Sequence, residues 1–212
     1  MKKWLCGERN PDKARELLLQ AAIQLFAESG FDGVTVRDIA QKAGVNFSMI
    51  SYHFGGKEGL YRACIEEFGR TRVELSEGLI GPFSSREEFV EKLHLIIRHV
   101  LEEMGKEPEL LRILSREIEA GLPIASEVFE ATFLKLFASI VEFYSRAQEQ
   151  GYIKKDLDPT FLMSMIHGTF MHQYKTDAIR TRYFGRSIHD PSEREKVIRN
   201  FTEIFLGGVL AR

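Results

Sequence analysis

The chain has 212 residues, of which 44% are hydrophobic and 28% charged, and its formal net charge is -2. These values favour a globular protein with a packed core over a disordered chain, and no apolar run approaches the ~18 residues of a membrane-spanning helix. Lys and Arg outnumber Asp and Glu in residues 1–62, while the reverse holds in residues 63–212, so the charge permits a nucleic-acid face at the amino-terminal end.

The start of the chain predicts its compartment. MKKWLCGERNP has two lysines but no apolar run of signal-peptide length behind them, which predicts a cytoplasmic protein. Cys6 and Cys64 lie far apart, outside any Cys-x-x-Cys motif. This usage is typical of a reducing compartment and predicts neither a disulfide framework nor a thiolate metal site.

Capping residues and glycines divide the amino-terminal part into three short helices. Apolar residues of the first recur at the i, i+3, i+4, i+7 spacing of a helix face. The second opens with a capping box in which Asp takes the place of Glu, and the third runs to His53 or Phe54. The predicted caps and stops are, in chain order, Asn10 with Pro11, Gly30, Thr35 with Asp38, Gly44, and Asn46.

Longer helices follow. A connecting helix begins at Gly56 and reaches about Leu79, before Gly81 and Pro82. Further helices, opened by a Ser or Asp cap or by proline, are predicted at about 85–105, 108–121, 123–150, 159–181 and 191–210. No segment alternates with period two, so the predicted fold class is all-α, with about nine helices.

The stretch 44-GVNFSMISYHFGGKEGL-60 admits three interpretations, and two of them are weak. A phosphate-binding loop needs Ser or Thr after its lysine and a strand before it, but Glu58 follows Lys57 and no strand precedes. A metal site lacks ligand spacing, because the histidine pairs 94/99 and 167/172 are five residues apart and face different sides of a helix. No cofactor or metal is therefore predicted.

The third interpretation, a helix-turn-helix, fits the spacing. Ala40 is small enough for a second helix to approach, Gly44 allows the turn, and Val45 and Ile50 point back into a small core. The residues left facing outward or along the rim are Phe47, Ser48, Met49, Ser51, Tyr52 and His53. Such an apolar face is costly in water unless something docks there, although Tyr52 could instead pack on the fourth helix.

In a DNA major groove the outward side chains have suitable chemistry. Ser48 can bond to base edges, and Phe47 and Met49 can contact thymine methyl groups. Tyr52 and His53 suit phosphate oxygens. Lys57 and the N–H groups that open the fourth helix form another phosphate contact. The complete predicted DNA-binding set is Thr35, Arg37, Asn46, Phe47, Ser48, Met49, Ser51, Tyr52, His53 and Lys57.

Residues 14-ARELLLQAAIQLFAESGFDGVTVRDIAQKAGVNFSMISYHFGGKEGLY-61 resemble the TetR family of bacterial transcriptional regulators. The match includes the Phe26 to Phe31 element, Thr35, and the signature from Tyr52 to Leu60. One departure is Ser51, where members often have a second tyrosine that contacts phosphate. The resemblance implies domains at 1–56 (helix-turn-helix), 57–81 (connecting helix) and 82–212 (effector binding and dimerisation).

The resemblance also implies the partners. It predicts a homodimer through the last two helices, which places two recognition helices about 34 Å apart on a palindromic double-stranded DNA operator. In helices 159–181 and 191–210 the candidate dimer-face residues are Phe161, Met165, Gly168, Thr169, His172, Val197, Phe201, Ile204, Phe205 and Gly208. An intrachain core face is the alternative for these residues.

The family usually encloses a small-molecule effector in its middle helices. The resemblance implies such a pocket here, with candidate lining residues Arg116, Glu117, Phe133, Phe137, Met163, His167 and Tyr174. Residues 108-PELLRILSREIEAGLP-123 and 158-DPTFLMSMIHGTFMHQY-174 are similar to the effector domain of the pyrimidine-utilisation repressor subgroup. This similarity names no ligand.

The predicted function is a homodimeric DNA-binding repressor that a small molecule releases from its operator, not an enzyme. One alternative keeps DNA binding but has a filled carboxy-terminal core and no ligand. Another is an enzyme on a helical bundle that uses Glu91 and His94, or His167 and His172. No Gly-x-Ser-x-Gly or His-Glu-x-x-His motif supports this last alternative.

Overall fold

The computed structural model describes residues 11–211, except the side chains of Pro11, Thr71 and residues 74–77. Cys6 and the predicted cap Asn10 lie outside these residues. Within them the chain is helical, with an isolated antiparallel bridge between Ile153 and Leu210 instead of any strand. The predicted all-α fold class is confirmed.

The helices follow one another closely along the chain, and a π-helical turn at Glu130–Leu134 joins α7 to α8. In chain order they are α1 Pro11–Ser29, α2 Val36–Ala43, α3 Ser48–Phe54, α4 Lys57–Glu77, α5 Arg86–Met104, α6 Pro108–Glu119, α7 Ser126–Phe129, α8 Lys135–Glu149, α9 Pro159–Lys175, α10 Asp177–Phe184 and α11 Pro191–Val209. Among residues 11–211, no helix is both long and apolar enough to cross a bilayer.

Side-chain caps fix the starts of the long helices where the sequence predicts them. The Ser85 hydroxyl accepts a hydrogen bond from the Glu88 N–H at 3.1 Å, which opens α5. Asp158 accepts from the Thr160 N–H, and Asp190 from the Ser192 N–H, each at 2.8 Å. A proline then occupies the first turn of α9 and of α11, where its missing N–H has no helical partner to lose.

The described residues form two compact units. Unit 1 contains residues 11–70 together with 109–131, and unit 2 contains residues 71–108 together with 132–211. The amino-terminal helices therefore share their compact unit with nearly all of α6 and with α7. The predicted domain boundaries after residues 56 and 81 stay predictions.

The core of unit 2 is rich in aromatic rings. Phe83, Phe89 and Phe143 lie within 5.3 Å of one another between ring centroids, and each is buried. From α9, Phe170 packs 4.9 Å from Phe201 of α11. Since α9 also packs against α5 and α8, and α11 packs against α5, the four helices share one hydrophobic core.

Two helix ends differ from the sequence prediction. The helix predicted at 159–181 breaks at Thr176, whose backbone leaves the helical region at φ -100° and ψ 6°, and α10 follows separately. Asp177 holds this break, because its carboxylate accepts hydrogen bonds from the Ser187 hydroxyl and the Ile188 N–H. The helix predicted from residue 123 begins at Ser126 instead.

Candidate DNA-binding interface

Helices α2 and α3 of unit 1 form the predicted helix-turn-helix around a small core. Both pack against α1. Ile39 is fully buried, Ala40 is 4% exposed and Ile50 is 1% exposed. Ile50 is thus buried as the spacing predicted, whereas Val45 is half-buried. Burial of Ile50 orients α3, whose other side faces solvent.

Gly44 makes the turn between the two helices. Its φ of 67° lies in the left-handed region, which is strained for residues with a side chain. The Val45 N–H then donates to Ala40 O at 3.1 Å. Asn46 accepts from both the N–H and the hydroxyl of Ser48 at 2.9 Å and so holds the turn before α3, although the N-cap residue of α3 is Phe47 rather than the predicted Asn46.

The outward side of α3 is exposed. Tyr52 is 75% exposed and Phe47 55% exposed, so neither packs in a core, and Ser48 and Ser51 are exposed beside them. Met49 and His53 are half-buried. The His53 Nε2 atom is buried and has no hydrogen-bond partner among the described residues, so it does not face solvent as Tyr52 does.

Two residues of the predicted DNA-binding set, Thr35 and Arg37, lie at the start of α2. Thr35 and Asp38 form a reciprocal capping box, in which Asp38 accepts from the Thr35 N–H at 2.9 Å and Thr35 Oγ1 accepts from the Asp38 N–H at 3.2 Å. The hydrogen bonds from Thr35 lower the pKa of the Asp38 carboxyl. Arg37, in the first turn, is exposed.

Glycines set the passage from α3 to α4. Gly55 and Gly56 have φ of 73° and 129°. A Cβ on Gly59 would lie 1.7 Å from the carbonyl oxygen of Phe54, so the first turn of α4 passes directly against the end of α3. Lys57 is held in this turn with its ammonium 4.1 Å from the centroid of the Phe31 ring.

The predicted DNA-binding residues therefore occupy three neighbouring parts of unit 1. They are the start of α2, the turn and outward side of α3, and the first turn of α4. Phe31 and Gly59 were not predicted from the sequence to have a role at this interface. The Phe26 to Phe31 element in the sequence was a signal for Phe31. Gly59 is identified only by the close approach of α4 to α3 in the structure.

Two predicted effector-pocket residues make hydrogen bonds inside unit 1. Arg116 Nη1 donates to Phe26 O at 3.1 Å and to Ala27 O at 3.0 Å, which satisfies carbonyls at the end of α1. Buried Glu117 accepts from the N–H groups of Ile124 and Ala125 at 2.7 and 2.8 Å. These bonds account for both side chains without a ligand.

The other predicted pocket residues belong to unit 2. The Phe137 and His167 rings lie 5.4 Å apart, and burial, with a smaller effect from Lys175, lowers the pKa of His167. Phe133 is buried, and Met163 is half-buried. The Tyr174 hydroxyl donates to Leu101 O. The structure brings Phe137 and His167 together, while a pocket that includes all seven residues stays a prediction.

Two grooves in unit 2 lie outside the predicted pocket set. The first, about 340 Å³, runs between α5 and α11 past Arg98 and Glu195, which pair at 2.6 Å. The second, about 500 Å³, lies among α9, α10 and α11 beside His172 and Val197. In residues 11–211, no group of three or more His, Cys, Asp or Glu side chains is arranged to hold a metal ion.

Comparison with known proteins covers most of the chain. Residues 18–64 match the model for bacterial regulatory proteins of the tetR family, and residues 90–204 match the model for the tetracyclin repressor-like C-terminal domain. The HTH-type transcriptional regulator RutR of Escherichia coli (strain K12) is 24% identical over 205 residues. This match covers 93% of this chain and 91% of RutR.

Solved structures share the fold. The ketosteroid transcriptional regulator KstR2 of Mycobacterium tuberculosis superposes with a TM-score of 0.69 at 23% identity, covering 93% of this chain and 95% of KstR2. The fatty acid degradation regulator FadR from Bacillus halodurans also has a TM-score of 0.69, at 19% identity, covering 97% of this chain and all of FadR. These relatives are transcriptional regulators rather than enzymes.

Proposed function

Since this chain belongs to the TetR family of bacterial regulatory proteins, we propose that it is a homodimeric repressor that leaves a palindromic operator when a small molecule binds it. Members of the family bind DNA through the amino-terminal helices. The observation that carries the proposal for this chain is the solvent-exposed side of α3, on which Phe47 and Tyr52 remain uncovered in unit 1.

We assign base recognition to the residues at the centre of the exposed side of α3. The Ser48 and Ser51 hydroxyls can donate to or accept from base edges, and the Phe47 ring can contact a thymine methyl group. Asn46 is occupied by its hydrogen bonds with Ser48, so its part is to hold the start of α3. The proposed specificity therefore rests on short and apolar side chains.

Phosphate contacts flank these residues. Tyr52 extends its hydroxyl into solvent from α3, Arg37 lies exposed in the first turn of α2, and Lys57 lies in the first turn of α4. Contacts of this kind fix the register of the protein on the duplex without reading the sequence. They also make the affinity depend steeply on salt concentration.

Exposed apolar residues on α9 and α11 support dimerisation through these helices. Phe161 is 59% exposed, Met165 37% and Ile204 76%. On the same side of α9, a Cβ on Gly168 would meet no atom within 4 Å, which leaves room for a close helix approach. Phe205, also predicted for this face, is 2% exposed and packs inside the protomer, so it belongs to the intrachain core.

The proposed effector acts on the balance between two states of the dimer. The chain passes from unit 1 into unit 2 within α4, and a ligand in unit 2 that shifts this helix changes the separation of the two recognition helices. Because the spacing of the grooves is fixed, this change weakens the fit of both half-sites at once. The ligand must bind the DNA-incompetent state more tightly, since otherwise it shifts no equilibrium.

Selection of random duplex DNA by the purified protein tests this function. We expect a pseudo-palindrome with half-sites about one helical turn apart, bound at roughly 10⁻⁸ M or tighter, with an affinity that falls steeply as salt increases. Metabolite extracts added to the complex then test for release. Absence of any enriched site, with and without extract, would refute operator binding.

A further inference from the structure

Lys57, a proposed DNA contact, is held in place by the aromatic ring of Phe31. Its ammonium lies 4.1 Å from the centroid of the Phe31 ring, within the range of a cation–π interaction, and the side chain is half-buried. Phe31 belongs to the loop between α1 and α2, whereas Lys57 opens α4. The contact therefore restricts a side chain that would otherwise sample many rotamers.

The Phe31 ring is itself fixed by two others. Its centroid lies 5.1 Å from that of Tyr61, with the rings at 71°, and 6.0 Å from that of Phe26. Tyr61 and Phe26 meet edge to face at 5.1 Å. Phe26 is 1% exposed and Tyr61 4% exposed, so Phe31 rests on a buried aromatic pair.

A buried carboxylate on α6 lies next to this pair. Burial raises the pKa of Tyr61, and the nearby Glu117 carboxylate raises it further. Glu117 is 3% exposed and is anchored by the N–H groups of Ile124 and Ala125. A continuous chain of contacts thus runs from Glu117 through Tyr61 and Phe31 to Lys57.

We infer that Phe31 is a positioning residue for an operator-phosphate contact made by Lys57, and that Glu117 holds Phe31 in place through Tyr61. The inference rests on the proposed DNA-binding function. It adds to that function a requirement for α6, which lies about fifty residues beyond the recognition helix in the sequence.

Pre-organisation is the physical reason for this arrangement. A free lysine side chain loses rotamer freedom when it binds a phosphate, and that loss subtracts from the affinity. An ammonium already held over a ring loses less. The ring contact and the phosphate contact are compatible, because the phosphate oxygens need only one or two of the three N–H donors.

Operator binding measured against salt concentration tests the inference, with the operator taken from the random-duplex selection. Lys57→Met should reduce the magnitude of the salt slope by about 0.9 for each phosphate that is no longer neutralised, or roughly 2 for a dimer. Phe31→Leu should weaken binding about ten-fold, from roughly three-fold in each half-site, with little change in the slope, because Lys57 still neutralises its phosphate. Phe31→Tyr keeps a ring beneath the ammonium and is the matched control.

The double variant distinguishes positioning from a general loss of structure. If Phe31 acts through Lys57, Phe31→Leu should cost little once Lys57→Met is already present. Tyr61→Phe removes only the hydroxyl and should give a smaller loss, two- to three-fold, that also disappears in the Lys57→Met background. Thermal unfolding of each variant verifies that it is folded at the assay temperature.

Several results would overturn the inference. Additive losses in the double variant would leave Phe31 with a packing role alone. If Phe31→Leu fails to fold, an additive Tyr61→Phe loss leads to the same conclusion. An unchanged slope in Lys57→Met would remove Lys57 from the interface. Operator binding by the unaltered protein would still stand in each case, whereas its absence would refute the proposed function itself.

Discussion

On the exposed side of α3, neighbouring residues are proposed to do different work. Tyr52 extends away from the core and is proposed to contact phosphate, while Ser48 lies at the start of the helix and is proposed to contact base edges. The two contacts differ in whether they depend on the DNA sequence. Substitution therefore separates them.

Tyr52→Ala is expected to weaken binding to operator and random duplexes by similar factors and to reduce the salt slope. Ser48→Ala should change the preference at one base position per half-site, by about 1–3 kcal/mol. Titrations of an operator, its single-base variants and a random duplex measure both the loss of affinity and the change in base preference. Uniform weakening by Ser48→Ala would mean that this serine contacts the backbone or acts only as a cap.

Gly59 is a residue whose importance is steric rather than conformational. Because a Cβ there would lie 1.7 Å from Phe54 O, α4 must move away from α3 before any side chain fits. We expect Gly59→Ala to lower the free energy of unfolding by about 2–3 kcal/mol, the upper part of the range for overpacked sites. Urea denaturation measures this loss.

Gly78→Ala is the matched control for that experiment. A Cβ on Gly78 would meet no atom within 4 Å, so this substitution should leave the stability within about 0.5 kcal/mol of the original. Equal losses at the two positions would show that the close approach of α4 to α3 does not cause the loss in Gly59→Ala.

At the scale of elements, the α2 capping box couples stability to pH. The Thr35 hydrogen bonds lower the folded-state pKa of Asp38 below its unfolded value, so the unfolded chain binds a proton more readily. The contribution of Asp38 is therefore fully present above the unfolded pKa, near 4, and is lost as pH falls through the folded pKa.

Asp38→Asn should accordingly be less stable than the original protein at pH 7, and the difference should shrink as pH falls below about 4. Chemical denaturation of both proteins at several pH values measures it. A difference that is constant across that range would assign the effect to packing rather than to the carboxylate charge.

Local signals predicted most elements, and tertiary contacts explain the exceptions. Ser85, Asp158 and Asp190 cap helices through side chains that bond within the next few residues, so the sequence alone reveals them. The start of α7 was predicted wrongly because the N–H groups of Ile124 and Ala125 donate hydrogen bonds to Glu117. No residue near position 124 in the sequence indicates these bonds.

In the candidate site, too, some residues could be predicted from local sequence signals and others depend on tertiary contacts. Helical spacing predicted the exposed side of α3, because it needs only the inward positions of a short helix. Arg116 and Glu117 were predicted for a pocket since they interrupt an apolar stretch. Their partners at the end of α1 and before α7 are tertiary, so spacing could not find them.

At the scale of the whole molecule, function is proposed to depend on pairing two chains. Ile204 is 76% exposed on α11, and burying it against a second copy would release apolar surface from water. Ile204→Arg places a charge there, so we expect a monomer whose operator affinity falls roughly 100-fold or more, since one half-site binds without the other. Sedimentation and operator titration measure the two effects.

Leu134→Arg is the control for that charge. Leu134 is 52% exposed in unit 2 and lies outside α9 and α11. It should leave the mass of the particle and its operator affinity unchanged. If Ile204→Arg remains dimeric, the proposed interface is wrong even where operator binding persists.

The discontinuity of unit 1 limits how this regulator can be cut and recombined. A fragment that ends at residue 70 would keep α1 to α3 but lack Arg116 and Glu117. The end of α1 would lose two of its hydrogen bonds, and Tyr61 would lose the nearby carboxylate. Chimaeras that join these DNA-binding helices to a foreign sensor therefore need residues 109–131 transplanted with them. A chimaera with a single crossover in α4 would have an incomplete DNA-binding unit, because it would lack residues 109–131.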